Sequence, residues 1–393
     1  MTFTDYVYRN DGGGITAERA FALFLAALEP LVDELSIVGR LTEQDRPMHY
    51  RLPSSIRFVP LPYYESLTRP LAVLRSLCLS LGRFWRELDT ADHVWLLGPY
   101  PHAIAFALIT RIRRRHLVLG VRQDLPTLIR SRRPRSRWTH LAADVLELTW
   151  RMLARGAPVV VVGPDLKRQY RRSPAVLELA VSLISSRDVD AGEAAAVRSY
   201  EGELRLLSVG RLDHEKNPLL LADVLAGLRE RDPRWRLTVC GEGPMRDALE
   251  RRLQALELSS HAELTGYVPL HGGLLDLYRS SHAFLHVSLT EGMPQVLIEA
   301  FASGVPVVAT AVGGVEGTAG DAAVLIPPQD AAAAVSALEK VVNDPDLRQE
   351  IVGNGLELAR RHTQEAEVRR VADFISSTGA NHEAGAPPGS LSP

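Results

Sequence analysis

The chain has 393 residues, more than one ordinary hydrophobic core contains, so its length predicts two domains. Its composition, 46% hydrophobic and 23% charged, is that of a globular protein and excludes a collagen-like or wholly disordered chain. The net charge of −2 conceals an asymmetry. Residues 1–200 carry 28 Lys and Arg against 20 Asp and Glu, whereas residues 201–393 carry 17 against 27. We therefore expect the basic first half to meet an anionic partner.

The cysteines and the first residues indicate the cellular environment. Cys78 and Cys240 lie far apart in apolar segments, so we predict neither a disulfide framework nor a zinc motif. The first 14 residues lack the basic-then-apolar pattern of a signal peptide, and no run reaches the roughly 18 apolar residues of a membrane-spanning helix. The sequence predicts a cytoplasmic protein, and a peripheral position on the inner face of the cell membrane stays open.

The first half begins like a doubly wound α/β domain. Residues 3–8 form a predicted strand, a loop with Gly13 and Gly14 follows, and residues 16–35 show a helical pattern. Glycines at this place allow a ligand to approach the backbone. The full dinucleotide-binding spacing is missing, however, so a plain tight turn fits the loop equally well.

Two later strands of the first half end beside polar residues. Residues 93–97 precede His102, and residues 117–121 precede Arg122. Both side chains are predicted at the carboxyl edge of the sheet, where open α/β sheets bind ligands. A lone histidine is more often structural than functional, so both interpretations of His102 stay open. A further strand is predicted at residues 181–184.

Two arginine clusters give the first half its positive charge. We weigh three interpretations: nucleic-acid binding, contact with an anionic membrane surface, and an ordinary solvated face. No recognition motif accompanies the charge, so no nucleic-acid partner is expected. The clusters comprise Arg111, Arg113, Arg114, Arg115, Arg130, Arg132, Arg133, Arg135 and Arg137.

A charged stretch, residues 186–203, is predicted to link the two domains. It contains Asp188 and Asp190, a D-x-D triplet of the kind that holds a divalent metal ion in some sugar-transferring folds. No strand adjoins the triplet on its carboxyl side, and such triplets are common by chance. We therefore predict no metal site here.

The second half starts with a strand at residues 204–209 that runs into a loop with two cations, Arg211 and Lys216. Arginine offers a planar fork and lysine a point charge, a combination suited to a diphosphate. The alternative is a surface ion pair with Asp213 or Glu215, which would contribute little.

The stretch from residue 288 to 308 contains a helix that begins near Pro294 and carries one charged residue, Glu299. At 100° per residue, Gln295, Glu299 and Ser303 fall on one polar stripe. A stripe of small polar residues around one acid fits a cleft wall, and a solvent-facing stripe is the alternative. The free N–H groups at the start of this helix suit an anion.

Six segments occur here in an order that resembles one family: SVGRLDHEKNP, CGEGP, LTGYVP, SLTEGMPQVLIEAFASGVPVVAT, VGG and AAVLIPPQD. They resemble the retaining GT-B-fold glycosyltransferases of the large bacterial glycan and lipid glycosyltransferase family (glycosyltransferase family 4, glycosyl transferases group 1). The match is dense across residues 204–362. It implies an α/β protein with two doubly wound Rossmann-like domains facing a cleft. The implied reaction moves a sugar from a nucleotide-diphosphate sugar to a hydroxyl acceptor, a glycan, lipid carrier or small metabolite, with retention.

The resemblance also implies roles for single residues. Arg211 and Lys216 would clamp the donor diphosphate. Glu291 would face the hydroxyls of the donor sugar, and Glu299 those of the ribose. His102 loosely matches the family's histidine near the reacting sugar. The other implied donor-binding residues are Gly13, Gly14, Gly241, Gly292, Met293, Pro294, Gln295 and Val296.

The predicted organisation follows from this comparison. Residues 1–185 form the acceptor domain, 204–362 the donor domain, 363–378 a helix returning to the first domain, and 379–393 a disordered tail. The strand ending VRQDLP lacks the family's histidine, and VSLISSRDVD replaces its Asn-Gly-Val-Asp, so the acceptor is left open. No cluster suggests a metal site, so no cofactor is expected. A non-catalytic nucleotide-sugar or glycan-binding protein is the alternative.

Overall fold

The computed structural model describes residues 1–45, 48–132, 135–291 and 294–384. The chain divides into two compact units. The first contains Met1–Leu179 and the described chain from Glu367 onward, and the second contains Ala180–Ala366. In each unit, helices pack on a sheet of mainly parallel strands.

Among the described residues, the first unit contains nine strands and six α-helices, and part of a last α-helix follows at the end of the described chain. The strands are β1 (Thr2–Asn10), β2 (Ile15–Ala17), β3 (Ser36–Thr42), β4 (Tyr50–Arg51), β5 (Arg57–Pro62), β6 (His93–Gly98), β7 (His116–Val121), β8 (Val159–Val162) and β9 (Val176–Leu179). The helices are α1 (Phe21–Ala26), α2 (Pro70–Glu87), α3 (Pro101–Ile112), α4 (Leu125–Arg132), α5 (Arg137–Ala154) and α6 (Pro164–Gln169).

The second unit has the same alternation of strand and helix. Its strands are β10 (Leu204–Val209), β11 (Trp235–Cys240), β12 (Ala262–Gly266), β13 (Ala283–His286), β14 (Val307–Thr310) and β15 (Ala323–Ile326). Its helices are α7 (Ser186–Ala195), α8 (Leu219–Arg231), α9 (Arg246–Ala255), α10 (Leu275–Ser280), α11 (Gln295–Ala302), α12 (Gly314–Ala319), α13 (Ala331–Asn343) and α14 (Pro345–Arg361), and α15 (Gln364–Ala384) ends the described chain.

Strand order in both sheets is that of a doubly wound fold. In the first unit the parallel order is β5-β3-β1-β6-β7-β8-β9. In addition, β2 pairs antiparallel with β1, and β4 pairs antiparallel with β2. In the second unit the order is β12-β11-β10-β13-β14-β15, and every pairing is parallel. Chain order reverses between β10 and β13, and ligands of such sheets bind at the carboxyl ends beside this point.

The buried residues explain why these strands are central. Both faces of a parallel sheet are covered by helices, so its strands consist of nearly continuous apolar residues. In the second unit, Leu206, Leu285 and Val308 lie at or near zero exposure on three adjacent strands. The first unit has an aromatic centre in which the rings of Phe84 and Phe106 stack with centroids 3.9 Å apart.

The helix predicted at residues 16–35 is wrong. Asp11 N–H donates to the Gly14 carbonyl at 3.3 Å, and the chain reverses so that β2 pairs antiparallel with β1. Gly14 has φ +139°, which glycine adopts without strain. Only residues 21–26 of the predicted helix become α-helical, as α1.

Three other boundaries differ from the sequence prediction. The strand expected at residues 181–184 lies earlier, as β9, because residues 176–179 pair with β8. The predicted linker contains α7, whose start is capped by a reciprocal hydrogen-bond pair between Ser185 and Asp188, so this acid has a structural role. Residues 379–384, predicted to be disordered, continue α15. The rest of the predicted tail lies outside the described residues.

Candidate active site

The polar residues predicted for the second half lie at the carboxyl ends of β10 and β13. The loop after β10 carries Arg211 and Lys216, and the loop after β13 carries Glu291. The two loops are tied together because Leu289 N–H donates to the Glu215 carbonyl at 2.9 Å. Since β10 and β13 are neighbours where the strand order reverses, these side chains meet at the expected ligand-binding edge.

Glu291 is the centre of this edge. Its Oε1 atom pairs with Nζ of Lys216, accepts a hydrogen bond from Ser288 Oγ at 2.7 Å, and lies 3.2 Å from Nε2 of His286. Burial alone would raise the pKa of Glu291, but His286 and Lys216 favour the anion and lower this pKa to about 2. The carboxylate therefore stays ionised at neutral pH, where it accepts hydrogen bonds and has no proton to donate.

Two glycines fix the backbone at Glu291. Gly314 N–H donates to the Glu291 carbonyl at 3.1 Å. Gly313 has φ +51°, and a Cβ atom at this residue would overlap the same carbonyl oxygen. The VGG segment thus permits a close approach of two loops that a larger residue would prevent.

Glu299 lies on α11 in a different environment. Its side chain is half-buried, and Oε2 accepts a hydrogen bond from the Tyr278 hydroxyl at 3.1 Å. Burial raises the pKa of Glu299 to about 7, and the bond from Tyr278 offsets this only in part. Glu299 therefore exchanges its proton near neutral pH, whereas Glu291 does not.

The residues of the predicted polar stripe on α11 differ in burial. Ser303 is fully buried and donates to the Glu299 carbonyl at 2.8 Å, so this end of the stripe is structural. Gln295 is half-buried, and its Nε2 atom is buried without a hydrogen-bond partner among the described residues. A buried amide with an unused donor is a binding group for an acceptor atom.

The start of α11 is the predicted anion-binding element. Pro294 is buried as the N-cap residue, so the helix begins one residue later than predicted, at Gln295. The N–H groups of Gln295 and Val296 lie in the first turn, where an α-helix has no internal acceptor for them. Gly292 and Met293, which the prediction included, lie outside the described residues.

Arg211 and Gly241 complete the predicted donor-binding set of this unit. The exposed Arg211 forms ion pairs with Asp213 and, at 2.6 Å, with Glu215. Gly241 has φ +140°, and a Cβ atom there would overlap the Gly210 carbonyl oxygen. The loops after β10 and β11 therefore touch where Gly241 meets Gly210, and Gly210 directly precedes Arg211.

Residues 192–357 match the family described as glycosyl transferases group 1. The matched segment lies within the second unit. Sulfoquinovosyl transferase SQD2 from Arabidopsis thaliana is 26% identical to it over 380 residues, which are 90% of this chain and 68% of that protein.

Solved structures establish the GT-B fold for this chain, with two Rossmann-like domains. Sucrose-phosphate synthase from Thermosynechococcus elongatus matches with a TM-score of 0.71 at 19% identity, covering 97% of this chain and 98% of that chain. HepE from Anabaena, solved in complex with UDP, matches with a TM-score of 0.67 at 16% identity, covering 96% and 99%.

His102, the predicted catalytic residue of the first unit, is fully buried. Its Nε2 atom lies 3.1 Å from Ser76 Oγ, and its ring stacks on Tyr64 with centroids 5.4 Å apart. Burial and the nearby charge of Arg40 lower the pKa of His102 to about 4, so the ring is neutral. This position gives the predicted catalytic role no support, and it agrees with the structural interpretation.

Gly13 and Gly14 form the hairpin turn between β1 and β2. Arg51 donates from Nη1 to the Gly13 carbonyl at 2.6 Å and pairs with Asp11 at 2.8 Å, which braces the turn. A Cβ atom at Gly13 would lie 2.6 Å from Nη1 of that arginine. The loop is therefore a tight turn, and its predicted contact with the donor stays a prediction.

Sequence reasoning missed three side chains that contact the two acids. His286 and Ser288 stand two residues apart at the end of β13, a polar alternation after an apolar strand that could have indicated a shared site. Tyr278 comes from α10, which precedes that strand, and no local pattern links it to Glu299.

Two observations concern a metal ion and the membrane. Among the described residues, no group of three His, Cys, Asp or Glu side chains is arranged to hold a metal ion. Over the same parts of the chain, no helix has the length and apolar character needed to cross a bilayer.

Proposed function

We propose that this protein is a glycosyltransferase that moves a sugar from a nucleotide-diphosphate sugar to a hydroxyl acceptor with retention at the anomeric carbon and without a metal ion. The donor would bind at the edge formed by the loops after β10 and β13 and by the start of α11. The observation that carries this proposal is the partly buried ion pair of Lys216 and Glu291 at the point where the strand order reverses.

The pair supplies a fixed cation beside the site of bond cleavage. Breaking the bond between sugar and diphosphate leaves additional negative charge on the leaving group while the sugar becomes oxocarbenium-like. The Lys216 side chain is only 22% exposed, so its charge acts in a poorly solvated place and stabilises that developing charge. The exposed Arg211 would add a second cation, because its guanidinium can leave the carboxylate of Glu215 and pair with a phosphate of the donor.

The two acids would divide the recognition of the donor. Glu291 is ionised and held by Lys216 and Ser288, so a free lone pair can accept from a sugar hydroxyl. Glu299 would accept from the ribose hydroxyls. The Gln295 amide and the first N–H groups of α11 would donate to phosphate or sugar oxygens.

The test begins with a panel of UDP-, GDP-, ADP- and dTDP-sugars and the purified full-length protein. We expect one donor to raise the melting temperature and to be consumed slowly, by water or an added hydroxyl acceptor, in the presence of a chelator. The anomeric configuration of the product, read by NMR, should match that of the donor. Stabilisation without consumption would instead show a nucleotide-sugar-binding protein.

Lys216→Ala should lower turnover at least tenfold, because a charged hydrogen-bond partner contributes roughly 1.5–3 kcal/mol. Lys340→Ala is the matched control, since this lysine is exposed in the last turn of α13 in the same unit. Equal turnover in the two variants would rule out the assigned role of Lys216. Loss of activity with the chelator, restored by Mg²⁺, would rule out the metal-independent mechanism.

A further inference from the structure

Three neighbouring helices of the first unit present a surface that differs from an ordinary solvated one. α3 contacts both α2 and α5. Arg111 of α3 donates to the Leu153 carbonyl of α5 at 2.6 Å, and the guanidinium of Arg113, which follows α3, lies 4.7 Å from the ring centroid of Trp85 on α2. We call the outward surface of these helices the α2–α3–α5 face.

The outward side of α5 is apolar along its whole length. Its large apolar residues there are 54–66% exposed, and they fall within about 80° of the helix circumference at 100° per residue. The buried side, with Ala143 and Trp150, lies opposite, so the helix has two apolar sides and only one of them packs on the core. The exposed residues of α5 are Arg137, Trp138, Leu141, Val145, Leu148, Arg151 and Met152.

The other two helices share this pattern. On α2 the exposed large apolar residues are 40–81% exposed, and on α3 they are 50–68% exposed. All residues of α2, α3 and α5 are described, and their carboxylates are Glu87, Asp144 and Glu147. Glu147 is buried, Glu87 pairs with Arg57, and Asp144, whose side chain is 45% exposed, pairs with Arg130. The exposed apolar residues of α2 and α3 are Leu71, Leu74, Leu79, Trp85, Leu108 and Ile112.

We propose that the α2–α3–α5 face docks on an anionic lipid bilayer, with its apolar side chains in the interfacial region and its arginines against the headgroups. An exposed apolar patch of this extent marks an interaction site. Arginines beside the apolar stripe are complementary to anionic lipid, and helices with this pattern lie in the plane of the interface. The exposed arginines are Arg75, Arg83, Arg86, Arg111, Arg137 and Arg151.

Charge favours a bilayer over a second copy of the chain as the occupant. A symmetric dimer places the same patch on both partners, so arginines would face arginines across the interface. The one carboxylate of these helices with a well-exposed side chain, Asp144, already pairs with Arg130. The proposal concerns the first unit and does not depend on the proposed donor chemistry.

The test is co-sedimentation of the full-length protein with vesicles of phosphatidylcholine alone or with 30% phosphatidylglycerol. We expect at least tenfold tighter binding to the anionic vesicles. Of the five tryptophans, Trp85 and Trp138 are the exposed ones, and both lie on this face, so binding should shift tryptophan emission to shorter wavelength. The double variant Leu141→Gln/Leu148→Gln should weaken binding at least tenfold.

Val197→Gln is the matched control, because Val197 is 93% exposed in the second unit. It should bind vesicles like the wild type, and circular dichroism should show that all variants are folded. The proposal is overturned if the protein binds no vesicles or if the double variant binds as well as the wild type. Binding lost in high salt but insensitive to the leucine changes would refute apolar insertion. A dimer that the leucine changes dissociate would identify a second copy as the occupant.

Discussion

Replacing Glu299 with glutamine should stabilise the protein above pH 7 and weaken donor binding. Burial raises the pKa of Glu299 from 4.5 to about 7. The unfolded chain thus loses this proton near pH 4.5 and the folded chain near pH 7, so the free energy of unfolding falls as pH rises through this interval. A pKa rise of that size lowers the free energy of unfolding of the wild type by roughly 3 kcal/mol above pH 7. Glutamine carries no charge, so the variant does not lose this stability.

The same carboxylate should make donor affinity depend on pH. With a pKa near 7, the ionised fraction rises from about 10% at pH 6 to about 90% at pH 8. If only the carboxylate accepts from the ribose hydroxyls, affinity for the intact donor should rise about ninefold over that interval. In Glu299→Gln the affinity should be lower and independent of pH.

Urea unfolding at pH 5, 7 and 8 and calorimetric titration of the donor at pH 6 and 8 measure the two effects. A donor analogue with 2′,3′-dideoxyribose is the control, since it retains the diphosphate and lacks the hydroxyls. The assignment of Glu299 to the ribose fails if the analogue shows the same ninefold change. The burial argument fails if wild type and variant keep a constant stability difference from pH 5 to pH 8.

Other predictions concern the groups that hold the two acids. Tyr278→Phe removes the hydrogen bond that lowers the pKa of Glu299, so the midpoint of the donor-affinity titration should move above pH 7. Gly313→Ala should cost about 1–3 kcal/mol in urea unfolding, because φ is +51° and the new Cβ overlaps the Glu291 carbonyl. Gly353→Ala, with open space inside α14, should instead stabilise by about 0.5–1 kcal/mol, and the opposite order would contradict the packing argument. The lowered pKa of Glu291 contributes stability that is complete above about pH 4.5 and is lost as pH falls toward 2, so Glu291→Gln should flatten acid unfolding measured by circular dichroism.

Local sequence signals predicted the second unit well because each of them acts over a few residues. Apolar runs that end in glycine indicated strands followed by loops, and Pro294 indicated the start of α11 to within one residue. In the first unit the glycine loop was ambiguous, since Gly13 and Gly14 suit a ligand loop and a hairpin alike. Pairing of β2 with β1 makes the loop a hairpin turn, and this pairing depends on residues outside the loop. The contact of the glycines with the donor stays a prediction.

Contacts between distant residues could not be read from such signals. Lys216 and Glu291 are 75 residues apart, and they meet because β10 and β13 are adjacent in the sheet. Sequence order alone predicts that β10 pairs with β11, and the structure has this pairing. Sequence order does not predict which strand pairs with the other edge of β10. The sequence offered Asp213 and Glu215 as alternative partners of the two cations, and Arg211 pairs with both of these acids. The pairing of Lys216 with Glu291 was not predicted.

The contrast between Glu291 and Glu299 shows why these partners matter for chemistry. The two acids are eight residues apart and equivalent by residue type. Glu291 lies against Lys216 and His286 and has a pKa of about 2. Glu299 accepts a hydrogen bond from Tyr278, has no charged partner among the described residues, and has a pKa of about 7. Opposite charge thus outweighs burial at the first acid, while burial prevails at the second. Only Glu299 changes its charge near neutral pH. A pH profile of donor affinity should therefore show a single ionisation from this pair, and that ionisation should disappear in Glu299→Gln.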